Sequence, residues 1–253
     1  MTPTSAQAAR QAKARGRQTG QKAVATKSKT GKPSRKLVFS SDPLDASGAY
    51  ERLAAQLHSI RSTRTVSTLL VASALPDEGK SLTVANLALA LSGPCGKRVL
   101  IVDADLRRPS LHALFGVAND EGLNECLRAP ALPCRPTLVA PNLSLLPAGR
   151  PDRDPLEVLT SNALHGLLAE QARQFDWVLV DAPPLGAFPD AHLVASAADG
   201  VLLVVRAGQT PLGDVQATVK TIGRDRILGV VLNRAKAPAH QYYYAAPAAS
   251  ATG

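Results

Sequence analysis

Aromatic side chains are scarce in this chain, with four Phe, four Tyr and one Trp among 253 residues. The 45% hydrophobic content must therefore build an aliphatic core, which suits a parallel sheet rich in Val, Leu and Ile. Cysteine is nearly absent. Cys95, Cys126 and Cys134 have neither metal-ligand spacing nor the even count of a disulfide framework, so they are expected as free thiols in a reducing cytoplasm. No apolar run approaches the roughly 18 residues of a membrane-spanning helix, and the N-terminus lacks the apolar segment of a signal peptide. Any membrane association is then expected to be peripheral or through a partner. Acidic residues are missing from residues 1–37, which hold ten Lys or Arg, leaving 19 basic against 20 acidic residues beyond them. The net charge of +9 thus belongs to a tail, and attraction to nucleic acid cannot be assigned to the fold.

That tail, rich in Ala, Gln, Lys, Arg, Ser and Thr, lacks the apolar residues that offset ordering entropy. Residues 1–40 are expected to be disordered, residues 41–234 to form one domain, and residues 235–253 to be a flexible end. On an anionic membrane each cation of the tail contributes about 1 kcal/mol.

Within the central segment, apolar runs alternate with helical patterns. Asp45 to Ile60 places Tyr50, Leu53, Leu57 and Ile60 on one helical face. Buried strands are expected at Thr65–Ser73, Arg98–Asp105, Asn142–Gly149, Asp176–Asp181, Asp199–Ala207 and Arg226–Arg234. Helices are expected at Leu82–Leu91, Asp154–Phe175 and Pro211–Ile222, and an irregular loop with a short helix at Asn119–Pro141. Strands alternating with helices imply an α/β fold, a mostly parallel sheet with helices on both faces.

The chemistry gathers at strand ends. Ala74, Leu75, Pro76, Asp77, Glu78, Gly79, Lys80 and Ser81 follow the first strand, and Leu82 opens a helix. This is the strand, tight loop and helix of a P-loop, where backbone N–H groups surround phosphate oxygens, a lysine meets the outer phosphates and a hydroxyl ligates Mg²⁺. Ala74 stands where the usual first glycine would be. Asp103 and Asp105 end the second strand, on one side of it if the extended backbone persists that far, and Asp181 ends a third, in the place of a Walker-B acid. Mg²⁺ needs only one or two carboxylates beside Ser81 and phosphate oxygens: Asp181 is expected to hold it directly or through water, and one of Asp103 and Asp105 to face it while the other sets its water shell or accepts a proton from an incoming hydroxyl.

These motifs resemble the bacterial tyrosine kinases of capsule and exopolysaccharide systems, relatives of the P-loop partitioning ATPases with their deviant Walker motifs. ALPDEGKS is similar to their Walker A, VLIVDADLRRP to their Walker A′, VLVDAPP to their Walker B, and Tyr242, Tyr243 and Tyr244 to their autophosphorylation cluster. GL at Gly122, PAG at Pro147–Gly149, DG at Asp199 and VLN at Val231–Asn233 are similar too. The resemblance implies binding of ATP and Mg²⁺ by residues 74 and 76–82, and transfer of the γ-phosphate to the tyrosine cluster of a neighbouring copy. It implies that Lys80, Asp103, Asp105 and Asp181 are catalytic, that Ser81, Asp103 and Asp181 serve the metal, and that Asn233 contacts adenine. It further implies a membrane-bound chain-length or export protein as activator, a homo-oligomer and a cognate phosphotyrosine phosphatase. Asp77 stands where the family usually has glycine, and GAYERLA (Gly48–Ala54) departs from its EAYRxLR pattern. Two other functions fit the same motifs. One is a ParA/MinD-like positioning ATPase, although Leu75 occupies the place of its signature lysine; the other is a catalytically idle regulator of polysaccharide export.

Overall fold

A computed structural model describes residues 46–131, 133–160 and 162–235. The basic tail and the tyrosine triplet lie outside these residues. Seven strands, β1 (Thr68–Ser73), β2 (Val99–Asp103), β3 (Thr137–Ala140), β4 (Leu143–Leu146), β5 (Trp177–Asp181), β6 (Gly200–Arg206) and β7 (Ile227–Asn233), form one sheet in the order β3-β4-β2-β5-β1-β6-β7. All neighbours are parallel except β3 and β4. Every residue of β1, β2 and β5 is buried, as continuous apolar strands covered on both faces must be.

On one face lie α1 (Ala46–Thr63) and α2 (Lys80–Ser92), with Ala54, Leu57, Val84, Leu87 and Leu91 packed on Leu69, Ile101 and Leu179. α3 (Leu111–Phe115) completes that layer through Leu111. The other face carries α4 (Leu123–Arg128), α5 (Leu156–Thr160), α6 (Ala163–Gln174), α7 (Asp190–Ala197) and, through Ile222, α8 (Leu212–Ile222). A short 3₁₀ turn, Arg224–Arg226, leads into β7. The expected α/β architecture is therefore the one observed. Because the six strands other than β3 share one direction, Ser73, Asp103, Asp181, Arg206 and Asn233 all reach the same carboxyl edge.

Local differences from the sequence expectations have physical causes. β3 lies in the segment expected to be irregular. It pairs antiparallel to β4 through a turn at Pro141 and Asn142, the latter in left-handed backbone (φ 59°) that Asn tolerates better than most residues. The single helix expected from Asp154 to Phe175 is two, α5 and α6, and α7 was not anticipated. Cys126 and Cys134 are not free thiols. The Cα atoms of Cys126 and Cys134 lie 5.5 Å apart, and the two form a disulfide. Cys95 is free and exposed.

Candidate active site

The P-loop occupies the gap between β1 and α2, held by its own residues and by two distant loops. The Ser73 hydroxyl donates to the Leu75 carbonyl at 2.8 Å, and the Leu75 N–H donates to Glu78 Oε2 at 3.0 Å. Glu78 is only 2% exposed, and its other oxygen accepts the Thr210 hydroxyl from the β6–α8 loop. Thr210 Oγ1 in turn accepts the Arg206 N–H at 3.0 Å. A buried acid thus ties the loop to the end of β6. Asp77 (φ 59°) and Gly79 (φ 97°) turn the chain in the left-handed region, which brings successive N–H groups to the helix entrance. Asp at a position the resemblance gives to glycine is accommodated by that backbone.

Across the loop, Asn233 at the end of β7 donates its amide to the Glu78 carbonyl at 2.7 Å. A Cβ on Gly79 would fall 2.2 Å from that amide nitrogen, so the two residues fit only because position 79 has no side chain.

Register places Asp103 directly opposite Asp181. Asp103 is fully buried, and its strand ends there, so the condition for Asp105 to share its side, extended backbone as far as residue 105, is not met. Instead the chain turns, and the Asp103 carboxylate organises that turn. Its Oδ1 accepts the Asp105 N–H at 3.2 Å, and its Oδ2 accepts the N–H groups of Ser110 and Leu111 at 3.1 and 3.0 Å. Asp105 accepts the Arg108 N–H at 2.9 Å. Burial, with the Asp181 charge beside it, pushes the Asp103 carboxyl up to about 8. Burial likewise pushes Asp181 up to about 6, against the pull of the Lys80 ammonium and the Ser81 hydroxyl hydrogen bond. Burial also raises Asp105, with the Arg108 N–H and Lys80 opposing it.

Lys80, Ser81, Asp105 and Asp181 therefore form one electrostatic unit, with Asp103 beneath it. Asp181 Oδ1 is buried and has no hydrogen-bond partner among the described residues. An anionic oxygen in that condition is costly unless a cation meets it. Among the described residues no cluster of three or more His, Cys, Asp or Glu could hold an ion by itself. The donor set, a hydroxyl and one or two carboxylates beside a phosphate cradle, is the one a hard divalent cation shares with bound phosphates. The residues present fit such a group.

Two roles were not anticipated from sequence, one of them for a residue, Glu78, expected only as part of the nucleotide-binding loop. The Glu78 side chain braces the loop, and Asp190, buried at the start of α7, receives Arg107 Nε on Oδ2 at 3.1 Å. The Pro189–Asp190 pair is a helix-start signal that marks the missed α7. Tyr242, Tyr243 and Tyr244 lie outside the described residues.

Residues 69–246 match the CobQ/CobB/MinD/ParA nucleotide binding domain. The chain is 33% identical over 185 residues to the tyrosine-protein kinase YwqD of Bacillus subtilis, covering 71% of this chain and 77% of that protein. It is 38% identical over 173 residues to the succinoglycan biosynthesis transport protein ExoP of Rhizobium meliloti, covering 66% of this chain but only 22% of ExoP. The kinase domain of the Escherichia coli tyrosine kinase ETK superposes with a TM-score of 0.70 at 29% identity, covering 81% of this chain and 83% of that one.

Proposed function

Because the chain belongs to the CobQ/CobB/MinD/ParA nucleotide-binding family, and within it to the bacterial tyrosine kinases, we propose that it is an ATP-dependent protein-tyrosine autokinase of an exopolysaccharide or capsule system. The observation that carries the chemistry is the unpartnered, buried oxygen of Asp181 beside Ser81 and Lys80 at the mouth of a phosphate loop.

In this reading Ser81 and Asp181 hold Mg²⁺, and the P-loop N–H groups and Lys80 hold the nucleotide phosphates. Bound there, the metal neutralises phosphate charge, which is most of what phosphoryl transfer requires. Asp103 keeps the Walker A′ turn in place through its three N–H bonds, which puts Asp105 at the rim. Asp105 is the group that takes the proton from a tyrosine Oη as that oxygen attacks the terminal phosphorus and ADP departs with the bonding pair. Its raised proton affinity suits a base, a role contributing about 10²–10⁴-fold in rate. Asn233 shapes the nucleotide side of the loop through Glu78.

Tyr242, Tyr243 and Tyr244 are the proposed acceptors, presented by a neighbouring copy. Among the described residues no helix is long and apolar enough to cross a membrane. ExoP is more than four times as long as the segment this chain matches, and we assign to a separate membrane-bound export protein the activating role the resemblance implies. The ten cations of residues 1–37 favour contact with the anionic inner face of the membrane; moderate salt or deletion of those residues is then expected to release the chain from anionic vesicles. A cognate phosphotyrosine phosphatase would reset the tail.

The test is incubation with γ-labelled ATP and Mg²⁺, followed by phosphotyrosine analysis of the wild type, Lys80→Ala and a Tyr242, Tyr243, Tyr244→Phe variant. Phosphotyrosine on the wild type alone is expected. Label that is absent from the wild type, or kept by Lys80→Ala, rejects the kinase. ATP hydrolysis without phosphotyrosine points instead to a nucleotide-switched positioning ATPase.

A further inference from the structure

Beyond the phosphate loop, three separate loops border an open surface concavity of about 410 Å³ lined by Arg107, Arg108, Pro151, Asp152, Arg153 and Phe188. Its volume lies in the range of small-ligand sites, roughly 300–1,000 Å³. The three loops are cross-braced. The Asp152 N–H donates to the Leu106 carbonyl at 2.9 Å, and Arg107 donates to the Arg153 carbonyl at 2.6 Å. Arg107 also sits 5.2 Å from the centre of the Phe188 ring.

The charges in this cavity are unequally satisfied. Arg107 is neutralised by buried Asp190, and Asp152 is taken by Arg128 at 2.6 Å. Arg108 and Arg153 have no carboxylate partner among the described residues, so two guanidinium groups face solvent beside a half-buried phenyl ring. Two unpaired guanidiniums suit a dianionic phosphate, and an aromatic wall suits an aryl group. One side chain offers both at once. The cavity also adjoins the proposed base, since Arg108 donates its backbone N–H to Asp105.

We propose that this cavity is a docking subsite for phosphotyrosine, which captures the product of the first transfer and aligns the next acceptor. It rests on the kinase reading and names a second ligand class for the same tail. The three tyrosines are adjacent in sequence. In an extended segment, alternate residues lie on one side about 6.6 Å apart, so a phosphate held at Tyr244 brings Tyr242 toward the neighbouring Asp105. Multiply phosphorylated tails then accumulate ahead of singly phosphorylated ones.

The test uses the full chain carrying Tyr242, Tyr243, Tyr244→Phe, so that its own tail cannot compete, with ADP and Mg²⁺ saturating the P-loop. A fluorescent peptide of residues 238–248, phosphorylated at Tyr244 or not, is titrated by anisotropy. The phosphopeptide is expected to bind about tenfold or more tightly than its unphosphorylated twin, the difference that new charge-assisted hydrogen bonds bring. Arg108→Gln with Arg153→Gln is expected to erase that difference, with the circular dichroism melt verifying that the variant is folded. Phenyl phosphate is expected to compete better than inorganic phosphate. Equal affinity of the two peptides, a preference kept by the folded arginine variant, or equal competition by the two phosphates overturns the proposal. The two readings fail separately. Phosphopeptide binding through these arginines in a chain that makes no phosphotyrosine sinks the kinase and leaves the subsite. Phosphotyrosine formation with no phosphopeptide preference does the reverse.

Discussion

Asn233, the last residue of β7, donates its side-chain amide to the carbonyl of Glu78 across 155 positions of sequence. The bond passes so close over Gly79 that a methyl group there would collide with the amide nitrogen.

That closeness makes the pair coupled. Asn233→Ala is expected to cost about 1 kcal/mol by stranding the Glu78 carbonyl. Gly79→Ala is expected to cost about 1–3 kcal/mol, from positive-φ strain and the collision together. The double variant should cost less than the two singles combined, since removing the amide relieves the clash but not the strain. Urea unfolding of the three variants checks this, with nucleotide affinity as a second measure.

Stability is expected to fall as pH rises. The Asp103 and Asp181 carboxyls are raised by burial above the ordinary value of 3.8, so the folded chain holds protons that the unfolded chain has released. Their contribution is complete below about pH 3.8 and is lost as pH climbs through about 6 and on to about 8. A thermal melt without nucleotide should therefore drop by roughly 4 °C or more between pH 5 and pH 8. Asp181→Asn should flatten that profile, because the pair then carries one ionisable group. It should also abolish the recovery that Mg²⁺ with ATP brings to the wild type at pH 8.

Reducing the Cys126–Cys134 bond should loosen the end of α4, whose Leu123 and Leu127 pack in the core on its face of the sheet. The bond closes a loop of eight-residue separation, for which lost chain entropy corresponds to about 2.5 kcal/mol. Reductant is expected to lower the urea midpoint of the wild type. It should leave a Cys126→Ser, Cys134→Ser variant, already lowered by that amount, where it stands.

Asp190→Ala leaves Arg107 without its carboxylate at a partly buried site, and should cost about 3 kcal/mol, the low end for breaking a buried pair. Arg107→Met combined with Asp190→Ala should cost less than the two singles together. Double-mutant unfolding measurements decide it. The same pair ties Arg107 of the Walker A′ segment to the start of α7, so the single variants should also slow phosphotyrosine formation.

The phosphate loop, the strand-end acids and the parallel sheet were legible because each depends on residues close in sequence. An apolar run reports a buried strand, and Gly-Lys-Ser after it reports a helix entrance. Where the reading missed, contacts between remote segments decided the outcome. The antiparallel β3 is too exposed to show a buried-strand pattern, with Leu138 71% exposed. The break between α5 and α6 is the exception, a local signal passed over: it falls at Thr160, Ser161 and Asn162, residue types that favour helix caps, and Asn162 is the N-cap of α6. The disulfide depends on a reversal of the chain that spacing alone does not encode.

From the order of its residues alone, this chain determined which groups would stand at the carboxyl edge, since a parallel strand must deliver its last residue there. Only the tertiary structure decided what those groups do to one another. It set Asp103 against Asp181 by register, turned the Asp103 carboxylate into a brace for the next turn, and left one oxygen of Asp181 without a partner. The physical reason is that proton affinity and hydrogen bonding depend on burial and on distances between strands. Those quantities arise only when segments far apart in the chain are packed together.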